Sequence, residues 1–188
     1  MVTATSSIER ITIEEFLAMP EDGVDRELVA GQIRIQGTTI RDRGHARALA
    51  SLCFHIGRWS EEQDGYRVLA GNAGFILQDD PATVLGIDMA VIDAAAPSRQ
   101  TSMGPLMVGV PRLAIEVLSL TDTVAAINEK TRLYLDHGTP WVWWVDPTDQ
   151  TIRVIGQDRT PVTYLNGQDL SDERMLPGLK LALEEVFE

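Results

Sequence analysis

Two apolar segments of the chain are each interrupted by a single acid, and this pattern limits the fold more than any other feature of the sequence. Asp88 lies within Ile87–Ile92 and Glu116 lies within Leu113–Leu118, and both segments otherwise have the composition of buried β-strands. Burying a carboxylate without a partner costs several kcal/mol. Each acid is therefore expected to lie at a strand end, to form a structural ion pair, or to bind a hard metal ion together with the other acid.

The remaining periodicities predict a mixed β-sheet flanked by helices. Apolar residues recur at helical spacing in residues 44–60 and 122–137, and Thr12 and Glu15 form a capping-box motif at the start of a third, short helix. Strand patterns occupy residues 27–29, 33–35, 66–69, 74–77, 87–92, 113–118, 141–145, 152–155 and 180–183, with a two-glycine turn at 71–74 and a loop at 93–110. This order predicts an α/β (α+β) fold.

The acidic composition limits the partners of the chain. The sequence has 188 residues, with 16 Lys and Arg against 28 Asp and Glu, which gives a net charge of −12 at pH 7. This charge argues against a general binder of polyanions or of anionic membranes, although a local basic patch remains compatible with it. The single cysteine, Cys53, excludes an internal disulfide and a cysteine-based zinc site.

The sequence also predicts the location and the domain organisation. No segment reaches the roughly 18 consecutive apolar residues of a membrane span, and Met1–Arg10 lacks the pattern of a signal peptide. We therefore expect a cytoplasmic protein with no membrane partner. Its length predicts one domain at residues 11–188, preceded by a flexible tail at residues 1–10.

Two further side chains are candidates for the same chemistry as the strand acids. Lys130 shares a face of its predicted helix with Tyr134, so its ammonium group either extends past its neighbours to water or points toward the end of the Glu116 strand. In the second position it would orient a water molecule or stabilise a phosphate. Glu27 begins a predicted strand and is a surface acid, a partner of Arg26, or a third acid of the site.

The start of the first long helix is basic in an otherwise acidic chain. Residues 41–60 contain Arg41, Arg43, Arg47 and Arg58 against Asp42 alone, which gives 4 − 1 = +3. These arginines are either a solvated helix face or, together with His45, contacts to a nucleic-acid backbone.

Several catalytic motifs are absent from the sequence. It has no glycine-rich P-loop, no Gly-x-Ser-x-Gly elbow and no His-Glu-x-x-His motif. With only three histidines, a histidine-rich metal site is not expected. Chemistry based on carboxylates and a lysine remains.

An acid in one strand, an acid in the next strand and a later lysine form an order that resembles the PD-(D/E)XK nuclease superfamily. More specifically, the chain is similar to the Uma-type endonucleases from about residue 11 to its end. The stretches that carry the likeness are Thr12–Leu17, Glu27–Gln32, Gly74–Leu77 with Asp80-Pro81, Ile87–Val91, Ile115–Ser119, Glu129–Gly138, Trp143–Pro147 and Leu176–Leu181.

The resemblance implies a restriction-endonuclease-like sheet in which Glu27, Asp88 and Glu116 hold a magnesium or manganese ion. Lys130 would be the catalytic lysine, displaced from the strand to the following helix. The chain departs from the pattern at Leu118, where the superfamily has its strand lysine, and at Asn72, where an acid often occurs.

The function expected from these features is a metal-dependent endonuclease that acts on DNA, as a homodimer. Arg41, Arg43, Arg47 and His45 would hold the flanking backbone. The alternatives are a catalytically inactive module of the same fold and a nuclease acting on RNA or on branched DNA. The three tryptophans Trp141, Trp143 and Trp144 would pack in the core or contribute to an interface.

Overall fold

A computed structural model describes residues 10–38, 40–95 and 106–188. The predicted tail therefore lies outside the described residues except for Arg10, as does most of the loop predicted at 93–110. Within the described ranges the helices are α1 (Ile13–Leu17), α2 (Arg43–Glu61), α3 (Val124–Asp136) and α4 (Leu183–Phe187). The strands are β1 (Val24–Val29), β2 (Gln32–Thr38), β3 (Tyr66–Gln78), β4 (Thr83–Asp93), β5 (Met107–Val108), β6 (Leu113–Val117), β7 (Trp141–Asp146), β8 (Thr151–Gly156), β9 (Val162–Leu165), β10 (Asp169–Leu170) and β11 (Leu181–Ala182).

Nine of these strands form one mixed sheet, as the α/β prediction required. The main path runs β2-β1-β4-β6-β7-β8-β9, while β3 pairs with β4 and β5. The β6–β7 and β3–β5 pairs are parallel and the other pairs are antiparallel. The α3 helix connects β6 to β7, which is the kind of crossover that a parallel pair requires.

One edge of β4 is shared by two different strands. Val84 pairs with β3 on one side and with β1 on the other, whereas Met89 pairs with β3 and β6. The strands β1 and β6 therefore follow each other along the edge of β4 that faces away from β3. Between them, residues 85–88 of β4 have no ladder partner on that edge among the described residues. We call this gap the fork.

The two faces of the sheet are covered by different helices because alternate strand residues point to opposite sides. Met89, Ile115 and Trp143 face one cluster, which contains Leu52 and Ile56 of α2. Ala90, Ala114, Val142 and Trp144 face the other cluster, which contains Ile127, Leu133 and Tyr134 of α3. Trp143 and Trp144 are buried, so they pack in the core, and β7 lies between β6 and β8 as a central strand.

The predicted capping box, the predicted turn and the predicted limits of the long helices agree with the structure. Thr12 and Glu15 form the reciprocal hydrogen bonds of a capping box at the start of α1. Ala30 and Gly31 form the turn between β1 and β2, both with positive φ. The long helices begin and end within about two residues of their predicted limits, which is the usual uncertainty of helix ends. In the part of the chain that the structure describes, no helix combines the length and hydropathy needed to cross a bilayer.

The predicted two-glycine turn at 71–74 is wrong. β3 continues through it as a single strand, with a register shift between Ala70 and Ala73 opposite β4. Gly71 has φ +93° and Asn72 has φ +60°, so the segment is a bulge with one extra residue. Glycine indicates a positive φ in either setting, and the sequence alone does not distinguish a turn from a bulge.

Alanine substitutions at two glycines are expected to change stability in opposite directions. At Gly71 a β-carbon has space, but the positive φ disfavours it, so Gly71→Ala should lower the free energy of unfolding by about 1 kcal/mol. At Gly57 in α2 a β-carbon also has space, and Gly57→Ala should raise that free energy by about 0.5–1 kcal/mol because alanine favours helix. Urea denaturation measures both, and a shift of the same sign would contradict the bulge assignment.

Candidate active site

Four charged side chains from four different elements meet at the fork. Glu27 comes from β1, Asp88 from β4, Glu116 from β6 and Lys130 from α3. The three acids are only 3%, 7% and 5% exposed, respectively. Antiparallel pairing of β4 with β6 ends at Met89 and Ile115. Asp88, just before Met89, and Glu116, just after Ile115, therefore lie immediately beyond the last pair.

The Lys130 ammonium group joins the strands around the fork. Its Nζ lies 2.8 Å from Glu27 Oε1 and 2.9 Å from Glu116 Oε1. It also donates to the carbonyl oxygen of Gly86 at 3.0 Å, a β4 residue within the unpaired stretch of edge. Burial disfavours the charged ammonium, but the two carboxylates outweigh this effect and raise the pKa of Lys130 above its ordinary value.

The environment strongly perturbs the carboxyl group of Glu116. Burial raises its pKa to about 8, and the neighbouring Asp88 also raises it, whereas Lys130 opposes the shift. The Tyr134 hydroxyl donates a short hydrogen bond to Glu116 Oε1. Burial and the Glu116 carboxylate raise the pKa of Tyr134 well above its ordinary value, so the tyrosine remains a donor.

Asp88 is held by two donors on one of its oxygens. His45 Nε2 donates to Asp88 Oδ2 at 3.1 Å, and the Val117 amide donates to the same oxygen at 2.9 Å. Burial alone would raise the pKa of this acid, but these hydrogen bonds lower it below its ordinary value. Asp88 is therefore ionised at neutral pH, and its two donors fix the orientation of the carboxylate.

A second layer of polar groups depends on the β3 bulge. Asn72 Nδ2 donates to Asp25 Oδ1 at 3.4 Å, and Arg41 forms a short ion pair with Asp25. A β-carbon at Gly86 would overlap the Asn72 amide oxygen. Glycine at position 86 therefore lets the bulge approach β4, and this approach places an amide beside the site.

These groups line an open cleft of about 720 Å³. Glu27, Asp88, Glu116 and Lys130 contribute to its buried floor, and Trp144 is a further buried lining residue. The Trp144 indole donates to Thr131 Oγ1 at 2.8 Å. Ile35, Ile40 and Leu120 also line the cleft but are largely exposed.

A buried lysine between carboxylates in an open cleft is unusual for a purely structural contact, and comparison with known families gives it a context. The family model of Uma2, described as "Putative restriction endonuclease", matches residues 13–184. The chain belongs to the Uma2 family. This match covers every element from α1 to β11 and includes all four residues at the fork. Membership of Uma2 indicates a nuclease.

A solved structure has the same fold as this Uma2 chain. A crystal structure described as "a putative nuclease belonging to DUF820" from Anabaena variabilis ATCC 29413 matches with a TM-score of 0.76 and 19% sequence identity. The match covers 94% of this chain and 97% of that chain. At this identity the likeness shows the fold alone, and it confirms the predicted nuclease-like sheet. No curated protein matches the chain.

The structure brings together the four residues that the sequence singled out for catalysis. Glu27, Asp88, Glu116 and Lys130 lie around one cleft. Of the two orientations predicted for the Lys130 side chain, the structure has the one directed at the Glu116 strand. Glu27 pairs with Lys130 and accepts from Gln36, so it is neither a surface acid nor a partner of Arg26.

The residues predicted to hold a nucleic-acid backbone separate into three kinds. His45 lines the cleft but is only 2% exposed and is bonded to Asp88, so its direct contact with nucleic acid stays a prediction. Its place in the first turn of α2 turns the ring inward toward the fork. Arg41 is half-buried against Asp25 and lines the cleft. Arg43 and Arg47 are exposed on α2.

Sequence reasoning did not assign a site role to several residues that contact the four. Tyr134 follows Lys130 by four positions, and this spacing on one helix face was the available signal. Gln36 donates to Glu27 from the β1–β2 hairpin. Asn72, noted in the sequence only as a departure from the family pattern, reaches the neighbouring Asp25 through the β3 bulge. These contacts depend on how the strands are aligned in the sheet, and no local sequence pattern specifies that alignment.

The donor set of the site fits a hard divalent cation. All of the anionic donors are carboxylates, and among the described residues Asp88 Oδ1 and Glu116 Oε2 have no hydrogen-bond partner. No group of three or more ligating residues is preassembled in the described part of the chain. The fit is therefore to magnesium, which binds one or two carboxylates and completes its shell with water and phosphate oxygens.

The raised pKa of Glu116 predicts how stability depends on pH. Its pKa is about 8 in the folded protein against an ordinary 4.5, so the folded state binds this proton more tightly. The associated stabilisation is complete below about pH 4.5 and is lost as pH rises through about 8. In metal-free buffer, the free energy of unfolding of the parent should decrease by roughly 2–3 kcal/mol between pH 5.5 and 8.5. Glu116→Gln should abolish this decrease.

Urea denaturation across this pH range measures the effect. Glu129→Gln is the matched control, since this cleft acid has a side chain 55% exposed. The control should keep the parent's pH dependence. An equally steep decrease in Glu116→Gln would contradict the assignment.

Proposed function

We propose that this Uma2 protein is a metal-dependent endonuclease that hydrolyses phosphodiester bonds in DNA. The observation that carries the proposal is the position of Lys130 Nζ, within 3.0 Å of both Glu27 and Glu116, in a cleft that also contains Asp88. The family description supports the reaction class. The homodimer and the cytoplasmic location expected from the sequence stay predictions.

The roles of the residues follow from their contacts. Asp88 and Glu116, with Glu27 beside them, would hold the cation. When bound, a magnesium or manganese ion lowers the pKa of a coordinated water molecule and polarises the scissile phosphate. Asp88 suits this role because its Oδ2 is fixed by His45 and Val117. Only its Oδ1 is then left for a ligand.

Lys130 supplies a positive charge that is held in place and only partly exposed to solvent. Its ammonium is anchored by Glu27 and by the Gly86 carbonyl, so it does not need to reorganise when negative charge develops on a phosphate. A fixed donor in a buried position stabilises such charge more effectively than a mobile surface lysine. Glu27 is therefore proposed to position Lys130 as well as to lie near the cation.

A second candidate function is a nuclease-fold module that binds partners without catalysis. Two observations favour it: Lys130 already pairs with both Glu27 and Glu116, and the described residues contain no preassembled metal cluster. The two candidates differ in whether turnover depends on a divalent ion, so one cleavage assay separates them.

Asp88→Asn and Lys130→Gln should each lower the rate of DNA cleavage by roughly 100-fold or more. The first removes a ligand charge while retaining an oxygen for the Val117 amide, and the second removes the ammonium while retaining a donor. Nicking of a supercoiled plasmid with magnesium or manganese measures the rate. Circular dichroism and urea denaturation establish that the variants are folded.

Glu129→Gln is the matched control for these two substitutions, because it removes a cleft carboxylate that is exposed. It should cut at the parental rate. If folded Asp88→Asn and Lys130→Gln cut as fast as the parent, the site assignment is wrong. If no divalent ion supports cleavage by the parent, the binding module is the better account.

The hydrogen bond from His45 to Asp88 predicts an effect on metal affinity. His45→Phe removes the donor at a buried position, so Mn²⁺ affinity measured by electron paramagnetic resonance should fall about tenfold. His45→Gln, which restores a donor, should lie nearer the parent. The control is His55→Phe on the same helix, whose imidazole lies 3.5 Å from Glu185 instead. Unchanged Mn²⁺ affinity in folded His45→Phe would contradict this role.

A further inference from the structure

Three large aliphatic side chains are exposed around the opening of the cleft. Ile35 is 70%, Ile40 81% and Leu120 82% exposed, and all three line the same cleft as the buried acids. They come from β2, from the segment before α2 and from the loop after β6. We call these three residues the apolar rim. Exposed aliphatic groups gathered at one site mark a binding surface more often than scattered ones do.

Guanidinium groups are interleaved with the apolar rim. Arg34 precedes Ile35 and Arg41 follows Ile40, and both arginines line the cleft. Arg34 lies 3.9 Å from Glu129 with its side chain 48% exposed, while Arg41 pairs with Asp25. Cations beside aliphatic groups match a ligand that presents phosphates and apolar faces together, as a nucleic-acid strand does.

The burial of the acids at the floor of the cleft limits which kind of nucleic-acid strand can reach them. The floor acids are at most 7% exposed, so a scissile phosphate has to enter the cleft and pass the apolar rim. In a regular duplex the base faces are stacked, so inserting isoleucine or leucine between them requires unstacking of the base step. In an unpaired strand they are accessible, and no unstacking is required.

We propose that the apolar rim binds the bases of unpaired nucleotides, so that the protein acts on single-stranded or locally unpaired DNA in preference to intact duplex. The inference rests on the proposed nuclease function and adds its substrate class. The arginines contact the backbone on either side, while Ile40 and Leu120 lie against base faces. Because aliphatic side chains form no hydrogen bonds with base edges, the contact is tolerant of sequence.

Binding to fluorescein-labelled DNA 20-mers without divalent ions tests the substrate class separately from cleavage. Three probes of one sequence are compared by anisotropy: a single strand, a perfect duplex and a duplex with a central three-nucleotide bubble. The parent should bind the single strand and the bubble roughly tenfold more tightly than the duplex, since only the duplex has to be unstacked. Cleavage of the same probes with manganese should follow the same order.

The double variant Ile40→Ser/Leu120→Ser should lose this preference and bind all three probes with similar affinity. The matched control is Val162→Ser/Leu165→Ser on β9, where side chains 50% and 54% exposed lie outside the cleft. It should behave as the parent does. Tighter binding of the duplex by the parent, or an unchanged preference in the rim variant, would overturn the inference. Absence of cleavage on every probe would instead overturn the proposed function.

Discussion

The contact on which this structure most depends is the buried ammonium of Lys130 between Glu27 and Glu116. It ties α3 to β1 and β6, and its third hydrogen bond ties the helix to β4 through the Gly86 carbonyl. A buried ion pair gives little net stability relative to apolar packing, but loss of one partner leaves charge without compensation. Lys130 is therefore better understood as fixing the relative positions of four elements than as a source of stability.

The topology of the sheet explains why these charges meet in an otherwise apolar interior. β1 and β6 share one edge of β4, so the backbone of β4 is briefly without a strand partner on that edge. A polar backbone group left there requires a donor, and the α3 helix that crosses from β6 to β7 supplies one. The α3 crossover thus accounts for the parallel pairing of β6 and β7 and also supplies the donor at the fork and in the cleft.

The parts of the site that sequence reasoning found are those with a local signature. Asp88 and Glu116 interrupt apolar strands, and Lys130 lies on the same helix face as Tyr134, so three of the four central residues were visible without a fold. The contact of His45 with Asp88 had no local signature, because a basic neighbourhood suggested a surface position and only the packing of α2 shows the buried partner. Gly86 carried no signal, and Asn72 was marked only as a departure from the family pattern, since the proximity of the two depends on the register of β3 against β4.

The bulge of β3 shows how much of the site is carried by one irregularity of the backbone. The strand lies on the far edge of β4, and without the extra residue its pairing would be regular from Tyr66 to Ile76. That one residue is what turns Asn72 toward Asp25, across β4 and next to Gly86. In genetic terms, the polar surroundings of the cleft depend on a single codon. An in-frame deletion there would leave the fold's hydrophobic pattern intact and change the chemistry of its centre.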